Sequence, residues 1–84
     1  MEPNDILRAQ MMAIVDNQIQ SNDPPETKAT LDRLVKEGWP NNDAKRLIGQ
    51  CVAYEMYGVM QKQDSFNEKR FKRNLEQLPK EPEG

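Results

Sequence analysis

Apolar residues recur in this chain at helical spacing, most clearly over residues 42–63, inside its longest stretch without proline. Wound as a helix, that run puts Ala44, Leu47, Ile48, Cys51, Val52, Tyr54, Gly58 and Val59 on one face, with Lys45, Arg46, Gln50, Tyr57 and Gln61 away from it. Glu55 falls in the middle of the apolar face. An earlier helix is expected from Asn4 or Asp5 to Gln20, started by Pro3, Asn4 and Asp5. Its apolar face is Leu7, Met11, Ile14, Val15 and Ile19, widened by Met12, with Arg8 and Gln18 in or beside it. In the turn that follows, Asp23 reads as the N-cap of helix two, Pro24 as its first residue and Glu26 as the partner that reaches back. Helix two carries Thr27, Leu31, Leu34 and Val35, and ends where Gly38 can turn left-handed and Trp39 can fold back on Leu34.

Helix three restarts after Pro40, capped by Asn41 or Asn42, and ends near Gln63. Gly49 and Gly58 inside it each cost about 1 kcal/mol of helix propensity, and Gly58 marks a candidate close crossing. Helix four has two possible starts. Ser65 with Glu68 makes a capping box, whereas Asn67 as cap sets Phe66 against Phe71 as a hydrophobic staple. Phe71, Leu75 and Leu78 then form its stripe. The expected fold is all-α: a small four-helix array with a long central third helix, residues 1–78 as one domain and 79–84 as a disordered tail.

Composition narrows the function more than it defines it. Of 84 residues, 36% are hydrophobic and 31% charged. The helices are therefore narrow apolar stripes with solvated backs, and a core this small supplies only about 3–5 kcal/mol, which calls for unusually good helix packing or self-association. A net charge of −2 disfavours nucleic acid as a partner. The start of the chain lacks the basic and apolar regions of a signal peptide, and no stretch reaches the length of a membrane span. With one cysteine and no internal disulfide, the expectation is a reduced, cytoplasmic, soluble protein.

The candidate chemistry centres on Glu55, because a carboxylate within an apolar stripe must reach the core edge, pair, keep its proton or bind a metal. Arg8 and Gln18 are its expected partners, and with Asp16 they define a candidate polar pocket. The chain has no histidine, which leaves zinc, di-iron sites and nucleophile–histidine catalysis without their ligands or base. Neither an enzyme activity nor a cofactor is expected. Cys51 reads as a small buried hydrophobe. Lys69, Arg70, Lys72 and Arg73 form a basic cluster around Phe71, a solvated helix face or a weak nucleic-acid or acidic-partner site. Met11, Met12, Met56 and Met60, with Trp39, are the interface candidates, since methionine suits adaptable contact surfaces.

Leu34, Gly38 and Trp39 followed by Ala44 and Leu47 resemble the pattern of ubiquitin-associated domains, but the third helix is too long for that fold. Ala13–Ile19, the Asn22-Asp23-Pro24-Pro25-Glu26 turn, Thr30–Leu34 and the Leu75…Leu78-Pro79 ending resemble a family of small bacterial helical proteins of unknown function. That resemblance implies an all-helical fold and a bacterial source. The family's histidines imply a metal or polar site, yet Arg8, Met12 and Arg46 stand where they would be. The functional expectation is a non-enzymatic interaction or assembly module, self-associating as a possible homodimer. The alternative is a ligand- or metal-binding domain around Glu55.

Overall fold

The structure is a computed structural model that describes residues 3–62 and 65–84. Among them stand four helices and no strand: α1 (Pro3–Ser21), α2 (Pro25–Lys36), α3 (Asn41–Lys62) and α4 (Glu68–Gln77). The all-α reading and the long third helix are as the apolar spacing predicts. The expected end at Gln63 lies outside the described residues, as do the side chains of Pro3 and Asn4.

One core joins Val15 of α1, Leu31 and Leu34 of α2, Ala44, Ile48, Cys51 and Val52 of α3, and Phe71 and Leu75 of α4, closed by Leu78. Both α2 and α3 pack against all three other helices, while α1 and α4 lie on different flanks without touching. The centre is therefore shared between α2 and α3, where the sequence placed α3 alone.

The turn after α1 differs from expectation by one residue. Asn22 takes a left-handed conformation (φ 53°), and the N–H groups of Asn22 and Asp23 donate to the carbonyls of Ile19 (3.2 Å) and Gln18 (3.0 Å). This is the helix-closing pattern of a Schellman motif, with asparagine in glycine's place. Asp23 is thus engaged in ending α1 and does not cap α2. Pro24, extended at φ −75° and ψ 151°, is the N-cap with no side-chain bond, and Pro25 takes the first helical position. The far end of α2 follows its sequence signal. Gly38 (φ 104°) donates to Val35 at 3.0 Å, Trp39 donates to Leu34 at 3.1 Å, and the indole packs on the core.

Three side chains on expected apolar faces are exposed: Leu7 (50%), Val35 (44%) and Tyr54 (36%). On α2, Thr27 is buried as expected, and Thr30 rather than Val35 joins it and the two leucines. Leu7 is bare because residues 5–10 of α1 run beyond the packed core and are all exposed. α4 begins by the second of its two signals. The Asn67 side chain accepts from the Arg70 N–H (2.9 Å), and Phe66 meets Phe71 edge to face at 5.3 Å.

Residues 79–84 were expected to form a free tail, and instead they fold back. The Glu83 N–H donates to buried Asn74 Oδ1 (3.1 Å), and Arg73 Nη2 donates to the carbonyls of Glu83 (3.0 Å) and Gly84 (2.6 Å). Asn74 is the anchor the apolar pattern missed, being polar and fully buried.

Candidate functional sites on the third helix

Glu55 is fully buried, and neither Arg8 nor Gln18 is its partner. Arg70 reaches it from α4, with Nε donating to Oε2 at 2.6 Å and Nη2 to Oε1 at 2.8 Å, while the Asn67 N–H donates to Oε1 at 2.9 Å. The arrangement is a capping box divided between two helices. In the usual box, the third helical residue is an acid that accepts from the N-cap N–H. Here that residue is Arg70, and the carboxylate that takes the Asn67 N–H comes from α3.

Burial pushes the Glu55 carboxyl up. The bidentate Arg70 fork, the Asn67 N–H and the charges of Arg70 and Arg73 together outweigh it and hold the group below its ordinary value. The Arg70 guanidinium also lies 5.7 Å from the centre of the Tyr54 ring. Gly58 is no helix crossing, for a Cβ there would meet Arg70 Nη2 at 3.9 Å. Burial, with the Glu55 charge adding to it, pushes the Cys51 thiol up to about 12, so it is a packing group and not a nucleophile.

The remaining members of the expected polar pocket are held apart, each with surroundings of its own. Asp16 pairs with Lys45 at 2.9 Å, Gln18 Oε1 accepts from the Thr27 hydroxyl at 2.8 Å, and Arg8 is exposed. Asn67 and Arg70 line a polar depression with Ser65, Phe66 and Glu68, but Glu55 is not part of its wall. Among the described residues, no group of three or more histidine, cysteine, aspartate or glutamate side chains is placed to hold a metal.

The basic cluster of α4 is largely engaged within the fold. Arg70 serves Glu55, Lys72 pairs with Glu26 at 3.5 Å, and Arg73 holds the tail. Arg33 of α2 adds a cross-link by donating to the Leu75 carbonyl at 3.1 Å, near the C-terminal end of α4. The sequence signal for the Glu55–Arg70 pair was the short link from α3 to α4, which returns the start of α4 beside the last turns of α3.

On another side of α3 lies an open groove of about 620 Å³ between α1 and α3. Met11, Met12, Gly49 and Ala53 supply its apolar surface, with Arg8 and Arg46 beside them. Of the other interface candidates, Met56 and Trp39 pack partly buried on the core, and Met60 is 70% exposed. No helix of the described residues is long and apolar enough to cross a membrane. No family model matches the chain, and neither a curated protein nor a solved structure proves similar to it.

Proposed function

We propose that this chain is a non-enzymatic helical interaction module that self-associates through apolar surface on α1 and α3. The observation that carries this reading is where large apolar side chains stay exposed. Among the described residues six such side chains stand out: Ile6 and Leu7 lie on α1 and Tyr54, Tyr57 and Met60 on α3, leaving Val35 as the exception. A core too small to use these side chains gains by burying them against a second copy, at about 25 cal/mol per Å² of apolar surface. Glu55 gives an enzymatic or ligand-binding reading little support, because its lone pairs are committed to Arg70 and Asn67. The proposal includes a bacterial, cytoplasmic setting, which rests on the sequence resemblance and on a single thiol kept inside the core.

Light scattering across a concentration series tests the reading. The expected mass approaches twice the monomer as concentration rises, and Leu7→Glu combined with Met60→Glu returns it to the monomer with helicity unchanged. A wild-type chain that stays monomeric throughout the series removes self-association.

A further inference from the structure

The α1–α3 groove has a property that apolar self-association leaves unexplained, which is its charge. Its charged lining residues are Arg8 on one wall and Arg46 on the other, with no carboxylate between them, although acids outnumber bases 14 to 12 in the chain. Among the described residues Arg8 enters no ion pair, and Arg46 has only Asp43 at 3.9 Å, one turn away on the same exposed surface. Two cations thus stand over methionine and small-residue surface without neutralisation from within the groove.

The spacing of the α3 wall says what shape would lie there. Asn42, Arg46, Gly49 and Ala53 follow one another by four, three and four residues. This alternation is how one helix presents a seam to another. The seam has room as well, since a Cβ on Gly49 would meet nothing within 4 Å. Methionine walls adapt to differing apolar shapes, as helix-binding grooves require.

We propose that this groove seats an acidic amphipathic helix of a partner protein. Its apolar stripe lies on Met11, Met12, Gly49 and Ala53, and carboxylates flanking the stripe on both sides meet Arg8 and Arg46. The inference rests on the interaction-module reading but not on self-association, which uses the exposed side chains outside the groove.

The test uses two end-blocked alanine-based helical peptides of about four turns, each with a leucine stripe at helical spacing. One has glutamates on both flanks of the stripe and the other lysines, and binding to the full chain is read by fluorescence anisotropy. The glutamate peptide is expected to bind and to weaken with added salt, while the lysine peptide does not bind. Arg8→Glu and Arg46→Glu should each weaken the glutamate peptide about fivefold, and the double reversal should transfer preference to the lysine peptide. Equal binding of both peptides, or a preference unmoved by the double reversal, overturns the proposal. Light scattering on the double reversal keeps the two readings distinct. An unchanged mass supports a foreign helix as occupant, whereas collapse of a dimer to monomer assigns the groove to a second copy and overturns it. A chain that is monomeric yet switches peptides on reversal loses only the self-association reading.

Discussion

Two sides of α3 place arginine against apolar surface and arrive at opposite results. Toward α4, Arg70 reaches a carboxylate with no solvent exposure, and each oxygen of that carboxylate receives at least one donor. Toward α1, Arg8 and Arg46 border a groove that offers them no acid. The difference teaches where a charge is structural and where it is available. A buried ion is tolerated only when its partners are complete, so on the α4 side the Glu55 charge is taken up by Arg70 and Asn67. The groove cations remain hydrated and can be recruited at small desolvation cost.

The largest expected effect comes from opening the α4 side. Arg70→Met keeps most of the stem but strips the donors from a buried carboxylate, and should cost about 3–5 kcal/mol in urea unfolding. A loss under about 1 kcal/mol would mean the pair contributes no more than a surface bridge. Acid should open the same side in wild type. Glu55 is held below its ordinary 4.5 in the folded chain, so the unfolded chain takes up that proton first as pH falls. The contribution is complete above 4.5 and is lost as pH falls through the folded value. Glu55→Gln should flatten that part of the stability–pH curve; an identical acid slope in wild type and variant would refute the assignment.

A smaller effect is expected at the divided capping box. Asn67→Ala removes the acceptor for the Arg70 N–H but leaves the Asn67 N–H on Glu55, and should cost about 1 kcal/mol. The groove should respond with the opposite sign. Gly49→Ala adds a methyl group where nothing lies within 4 Å, so the helix gain of up to about 1 kcal/mol should appear as a raised melting temperature. A fall would show that the groove floor is tighter than its geometry indicates. The least change is expected from Asn74→Ala, which releases the tail but also removes Nδ2, a buried donor without a partner among the described residues. Those opposing contributions should leave stability within about 1 kcal/mol of wild type, while proteolysis of residues 79–84 speeds up.

Much of the framework was legible because it is local. Helical spacing located all four helices, Gly38 and Trp39 specified the end of α2, and the Asn67 cap with the Phe66–Phe71 staple was one of two readings open for α4. The α1–α2 turn slipped by one residue because two prolines and an asparagine offered competing registers, and the bonds that close α1 decided between them. The methionines were read as surface, and Arg8, Met12 and Arg46 were brought together only through the family resemblance, not by any spacing within the chain.

By itself the sequence determined that the chain forms four helices, roughly where each lies, and that Glu55 needed a partner, since propensity, capping and amphipathic spacing act within a few residues. Only the tertiary structure decided that the partner is Arg70 and not Arg8, that α2 shares the centre with α3, that Asn74 anchors the tail, and that two arginines border an open groove. Those outcomes depend on which helix faces meet, and that choice is made by side chains brought together from distant parts of the chain.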